Sequence, residues 1–214
     1  MRLLRSLYLL ALALPLAASA EPVNLIVNGD FEQVSIPDPP QNELYLDPGS
    51  TLLVGWEITH GQIDWVGDYW AEPAGVGPHG LDLDGSPGWG GIRQSFATQP
   101  GHTYQVEFWM SGNPLGEPWI KQMAVEAAGQ SAIFTHDTTG QYTFENMTWE
   151  HHAWLFTATE ETTAIEFYSL DWPAGRFQGP VLDGVAVYEY APEPASLGLL
   201  GAGLLSLLRR RGRR

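Results

Sequence analysis

Apolar residues in this chain recur at every second position, in short runs that are cut off by glycine and proline. Tyr104, Val106, Phe108 and Met110 share one side of an extended segment, and Gln105, Glu107 and Trp109 share the other. A period of two puts alternate side chains on opposite faces of a strand, whereas a helix needs a period near 3.6. The same spacing returns at Leu52-Val54-Trp56-Ile58, Ile92-Gln94-Phe96, Met123-Val125-Ala127, Trp154-Phe156-Ala158, Ile165-Phe167 and Val185-Val187. Turn chemistry separates these runs: Pro48-Gly49, Pro87-Gly88, Pro100-Gly101, Asn113-Pro114, Gly129, Thr139-Gly140 and Pro173-Ala174-Gly175. Between residues 21 and 190 no window carries a helical stripe. The pattern predicts an all-β protein, a β-sandwich or jelly roll. The lack of a repeat of 20 to 50 residues excludes a propeller or solenoid.

Charge narrows the function. The 214 residues carry 10 Lys+Arg against 25 Asp+Glu. Seven of the arginines sit at the termini, leaving Arg93, Lys121 and Arg176 against 24 acidic residues between Glu21 and Ala191. A body of that sign repels phosphate backbones, which excludes nucleic acid as a partner. Nine Trp, eight Tyr and eight Phe exclude a disordered chain. The absence of cysteine excludes disulfide scaffolds, thiolate zinc sites and thiol catalysis.

The two ends read as addresses. Residues 1–20 place Arg2 and Arg5 before an apolar run, Leu7 to Leu16, and close on Ala18-Ser19-Ala20, the pattern of a secretory signal peptide. Residues 191–214 hold Pro192-Glu193-Pro194, an apolar run from Ala195 to Leu208 with no polar face, and a terminal arginine cluster. The run is short beside the roughly 20 residues of a membrane span, and the arginines supply a positive cytoplasmic flank. This order resembles the PEP-CTERM sorting signal of Gram-negative bacteria. The resemblance implies a C-terminal membrane anchor helix, recognition of Pro192, Glu193 and Pro194 by an exosortase, and delivery to the cell surface or extracellular matrix.

Residues 21–190 form the exported domain. Its motifs fall in a fixed order: Asn28-Gly29-Asp30-Phe31-Glu32, Gly55-Trp56, Ile63-Asp64-Trp65, His79-Gly80-Leu81-Asp82-Leu83-Asp84-Gly85, Gly91-Ile92-Arg93-Gln94-Ser95-Phe96, Pro100-Gly101-His102-Thr103-Tyr104, and Val181-Leu182-Asp183-Gly184-Val185. The series resembles the galactose-binding-like jelly rolls, above all the group that holds a plant cell-wall family of unknown function and the bacterial choice-of-anchor surface proteins. That resemblance implies neighbouring first and last strands and a structural Ca²⁺ between them, held by the side chains of Glu32 and Asp183 with the Asp30 carbonyl as a further candidate. Calcium takes six to eight oxygens, which so acidic a body offers. The alternative is that both carboxylates cap turns by accepting backbone N–H groups.

Aromatic residues among Gly and Pro suit saccharide binding, because flat rings stack on sugars while carboxylates accept hydroxyl donors. Trp70, Trp89, Trp119 and Trp172, with Tyr69, are the ligand candidates. Trp56 and Trp65 are expected in the core, and Leu81 and Leu83 inside with Asp82 and Asp84 toward solvent or turns. No Gly-x-Ser-x-Gly elbow, His-Glu-x-x-His helix or phosphate loop occurs. His151 and His152 follow Glu150, but neighbours on a strand face opposite sides and cannot share one ion. The chain thus reads as an exported, non-catalytic surface protein whose sandwich binds extracellular polysaccharide or cell-wall glycan. A structural matrix protein without a small ligand, or a polysaccharide hydrolase, are the alternatives.

Overall fold

The computed structural model of the protein describes residues 22–37, 43–67, 69–85, 88–171 and 177–191. The expected signal peptide of residues 1–20, Trp172, and the expected sorting and anchor segment from Pro192 onward, with Glu193 and Pro194, lie outside them. In chain order the strands are β1 (Glu43–Leu46), β2 (Glu57–His60), β3 (Ile63–Val66), β4 (Gly80–Asp82), β5 (Asp84–Gly85), β6 (Gly88–Trp89) and β7 (Gly91–Ala97). They continue with β8 (Thr103–Gly112), β9 (Ile120–Ala127), β10 (Gln130–Asp137), β11 (Glu150–Thr157), β12 (Thr162–Ser169) and β13 (Pro180–Glu189). One turn of 3₁₀ helix, Phe144–Asn146, precedes β11.

Two antiparallel sheets enclose the core. The first runs β1-β3-β4-β13-β8-β11 and the second β10-β9-β12-β7-β2, with β5 and β6 as a small separate hairpin. This is the β-sandwich expected from the alternation. The inward set of each strand meets the inward set of the other sheet: Val106, Phe108 and Met110 of β8 are fully buried, as are Ile165 and Phe167 of β12. Phe108 stands edge-on to Phe167 at 5.3 Å and to Phe134 at 5.0 Å, the preferred geometry for aromatic quadrupoles. Trp56 and Trp65 lie in this core.

First and last segments close on each other. The Leu25 N–H donates to the Val187 carbonyl at 2.9 Å and the Val185 N–H to the Gly29 carbonyl at 2.8 Å. Gly29 permits the approach, since a Cβ there would overlap the Val185 carbonyl. Gly29→Ala is therefore expected to cost about 2 kcal/mol through overpacking, read as a lowered midpoint in urea.

Two details depart from the alternation. In the segment before β2 it is Leu53 that is buried, bridged to Val34, while Leu52 and Val54 are half-buried. Gly55 takes φ +83 and the Trp56 N–H bonds back to the Leu53 carbonyl, so a turn resets the parity before Trp56 and Ile58. Leu81 and Leu83 point inward as expected, yet Asp82 and Asp84 are also buried, at 1% and 0% exposure. Gly179 packs against this side, where a Cβ would meet Asp84 Cβ at 2.6 Å. The Asp82 carboxylate accepts the N–H groups of Asp84 and Gly179 and the Asn113 amide at 2.9–3.0 Å.

Candidate functional site

The Asn28–Glu32 turn is built around two residues with φ +54, Asn28 and Phe31. A positive φ is uncommon for a residue as bulky as Phe, so surrounding structure must impose it. Two core indoles do so. Trp56 Nε1 donates to the Asn28 carbonyl at 2.9 Å, and Trp65 Nε1 donates to the Phe31 carbonyl at 2.7 Å. The Asn28 side chain closes the turn by bonding the Gln33 and Val54 carbonyls and accepting the Gln33 N–H.

Glu32 leaves this turn toward His79. Its carboxylate accepts the His79 backbone N–H at 2.9 Å and faces His79 Nδ1 at 2.6 Å, while the His79 ring stacks on Trp65 at 4.1 Å. Asp183 stands on β13 with no exposure. One of its oxygens accepts the Gly184 N–H at 2.6 Å and the other has no donor. Glu72, on the loop between β3 and β4, brings two more buried oxygens without donors. Burial, then the nearby Glu72, Glu32 and Asp30 charges, push the Asp183 carboxyl up to about 9. Burial and Glu32 push Glu72 up to about 8.

Glu32 and Asp183, from opposite ends of the domain, are thus electrostatic neighbours, and Glu72 joins them. Sequence reasoning missed Glu72 because a lone glutamate before a proline carries no periodic or motif signal. Three donor-less oxygens in a buried acidic site suit a hard cation, which resolves the desolvation of paired carboxylates. Among the described residues no group of three or more His, Asp or Glu side chains stands ready to hold a metal ion as placed. Backbone carbonyls such as that of Asp30 would have to complete a calcium shell here.

The aromatic candidates do not converge. Trp70 is buried at 6% exposure among Val66, Met147 and Val181, with Tyr69 and Phe144 against it. The loop that carries it folds back over the first sheet, so its indole is a packing residue and an open stacking role does not hold for it. Tyr69 is 36% exposed at the rim of that cluster. Trp119, half-buried, touches Tyr142 edge-on at 5.9 Å. Trp172 lies outside the described residues.

Trp89 is different. It is 38% exposed and meets His60 edge-on at 4.6 Å, and His60 in turn meets Tyr168 at 5.9 Å. Gly91 makes room for this row, since a Cβ would approach His60 Cε1 to 2.5 Å. Tyr168 and Glu166 lie on the β12 face opposite the buried Phe167, so the row borders the outer surface of the second sheet. The Tyr168 hydroxyl donates to Glu126 at 2.7 Å, which pushes its pKa up to about 12, and Thr59 donates to Glu166 at 2.6 Å. Three rings beside hydrogen-bonding carboxylates form a platform with a polar rim. Trp89 was visible in the sequence, whereas His60 and Tyr168 reach it only through the β2–β7–β12 pairings.

The two packed antiparallel sheets define an all-β sandwich. Residues 24–188 match the family described as protein of unknown function DUF642, and residues 191–214 match the PEP-CTERM protein-sorting motif. The chain belongs to the DUF642 family and carries that sorting motif at its C-terminal end. It is 29% identical over 177 residues to Halomucin of Haloquadratum walsbyi, covering 81% of this chain and 2% of that protein. The chain therefore spans only a small fraction of that relative. Among solved structures, the arabinose-bound MgGH51 α-L-arabinofuranosidase superposes with a TM-score of 0.51 at 13% identity, over 77% of this chain and 26% of that one. A family 35 carbohydrate binding module from Clostridium thermocellum gives 0.41 at 12% identity, over 80% of this chain and 100% of that one. At such identities the likeness to the first is one of fold.

Proposed function

We propose that this is an exported, non-catalytic surface protein of a Gram-negative bacterium, whose sandwich binds carbohydrate at the Trp89–His60–Tyr168 platform. A structural Ca²⁺ at Asp183, Glu72 and Glu32, with the Asp30 carbonyl, holds the first and last segments together. The observation that carries the reading is the exposed indole of Trp89 in a row of rings rimmed by Glu126 and Glu166. The sorting motif supports export and recognition of Pro192, Glu193 and Pro194 by an exosortase, with attachment to the cell surface or matrix.

The test is a glycan array, extended to the producing organism's own exopolysaccharide, probed with the purified protein in Ca²⁺. Trp89→Ala is expected to weaken binding about tenfold, near 1.4 kcal/mol. Its melting temperature should change little, because the ring is largely outside the core. Binding that survives Trp89→Ala and Tyr168→Ala would move the ligand elsewhere. No binding to any glycan would favour a structural matrix protein.

A further inference from the structure

The aromatic platform belongs to a longer row. On the outer face of the second sheet Ile133 of β10, Ala124 of β9, Tyr168 of β12, Gly91 of β7 and His60 of β2 stand each directly opposite the next. Ile133 is 64% exposed, and Trp89 extends the row past His60. Ala124 contributes one methyl group and Gly91 no side chain, so the row stays low between its larger members. A register shift between Ile58 and His60 completes it. The extra residue lets Thr59 and His60 both stand over Gly91, where a Cβ would come within 2.8 Å of Thr59 Oγ1 and 2.5 Å of His60 Cε1. Bulges re-aim side chains in this way.

A second row runs beside the first and is polar: Ser131, Glu126, Glu166, Arg93 and Glu57, again each opposite the next across the same five strands. Arg93 is occupied by Glu57 at 2.9 Å. Glu126 and Glu166 face each other, a pairing of like charges that costs stability. Tyr168 donates to Glu126 and Thr59 to Glu166, yet each carboxylate has lone pairs for further donors. The polar row thus presents hydrogen-bond acceptors and an excess of negative charge.

We infer that this face holds an internal stretch of an uncharged polysaccharide, lying across the strands with its sugar rings over the Trp89–His60–Tyr168–Ile133 row and its hydroxyls donating to Glu126 and Glu166. The inference rests on the carbohydrate assignment of the platform above and names the class of ligand. Length is the first argument. From β10 to β2 the row crosses four strand spacings, roughly 19 Å at about 4.8 Å each, which is longer than a single sugar ring. Both ends lie on the outer strands of the sheet, so a chain that enters over one edge can continue past the other. Charge is the second. Uronate, sulfate or phosphate groups would be brought against Glu126 and Glu166, and the one guanidinium of the face is already paired. Hydroxyl groups are donors and meet acceptors, while the apolar faces of the rings cover Ile133, Tyr168 and Trp89.

The experiment measures binding of the full chain to neutral polysaccharides (mixed-linkage β-glucan, xyloglucan, galactan and galactomannan), to the anionic polygalacturonate and alginate, and to the disaccharide and hexasaccharide of whichever polymer binds. A neutral polymer should bind and the two polyanions should not. The hexasaccharide should bind at least about tenfold more tightly than the disaccharide. Ile133→Ser and Glu126→Gln, both at exposed positions, should weaken the hexasaccharide several-fold, and Ile133→Ser should leave the disaccharide unaffected. Tyr45→Ala, on the other sheet, should change neither. Loss of every glycan signal, or binding indifferent to Trp89→Ala, removes the platform itself. Binding that needs Trp89 but is equally tight for disaccharide and hexasaccharide, or ignores Ile133→Ser and Glu126→Gln, or prefers a polyanion, keeps the platform and overturns the extended uncharged chain.

Discussion

Replacing Trp65 with alanine is expected to lower stability by about 3–5 kcal/mol, the range for deleting a buried large aromatic. Its indole is 1% exposed and does three things at once. It packs in the core of the sandwich, its N–H holds the Phe31 carbonyl at 2.7 Å, and its face carries His79 at 4.1 Å. Removal leaves a cavity, orphans a carbonyl in a turn that already holds Phe31 at φ +54, and releases the histidine that positions Glu32. For a domain of this size the loss corresponds to a fall in Tm of roughly 10 °C. Trp65→Phe separates the contributions, because it restores much of the volume but not the N–H, and should fall between the two. A Trp65→Ala protein with an unchanged Tm would show that the indole is not the anchor of the turn.

Calcium is expected to have an effect of similar size. Protein stripped by chelator should gain roughly 5–10 °C in Tm at a free Ca²⁺ about 100-fold above its Kd, equivalent to about 2.7 kcal/mol. The pH dependence gives an independent check. Asp183 and Glu72 are raised to about 9 and about 8 from ordinary values of 3.8 and 4.5. Without a cation the folded state therefore binds more protons than the unfolded state between about pH 4 and 9. The stability linked to these groups is fully present below pH 4 and is lost as pH rises through 8 to 9. Chelated protein should melt lower at pH 8 than at pH 5, and Ca²⁺ should remove most of that difference by neutralising the same carboxylates. Asp183→Asn should raise the Tm of chelated protein at pH 8 and abolish the response to Ca²⁺. A Tm indifferent to calcium at both pH values would remove the cation and leave protonated carboxylates in its place.

Much of the fold was readable from parity alone. In β8 the alternation of Tyr104, Val106, Phe108 and Met110 is reproduced in their burial, because a strand packed on one face has no other way to hide apolar groups. Parity failed where the backbone left the extended state, as at Gly55, and where both faces are covered, as at Asp82 and Asp84. Periodicity records which side a residue takes, but not whether a loop lies over that side.

The binding candidates show the same limit. Trp70 and Trp89 both stand among Gly and Pro in loop-like sequence, and nothing local distinguishes them. One is buried because Phe144, Met147 and Val181 come over it, and the other stays half exposed at the edge of a sheet. For the acid site, the resemblance carried Glu32 and Asp183 into one place, while Glu72 joined them only through the path of a loop. On β11, His151 and His152 take opposite faces as strand geometry requires, against Trp109 and against Phe108 and Phe134, whereas the approach of His136 to Glu150 comes from another sheet.

By itself the sequence determined the strand content, the order of motifs, the acidity of the exported body and the address at its C-terminal end, because each is a local property of adjacent residues. Tertiary structure decided which carboxylates lose their water together, which tryptophan keeps an open face and which histidine approaches Glu150 from the other sheet. Those outcomes depend on contacts between residues far apart in the chain, and the free energy of a charge or a ring is set by what surrounds it in space.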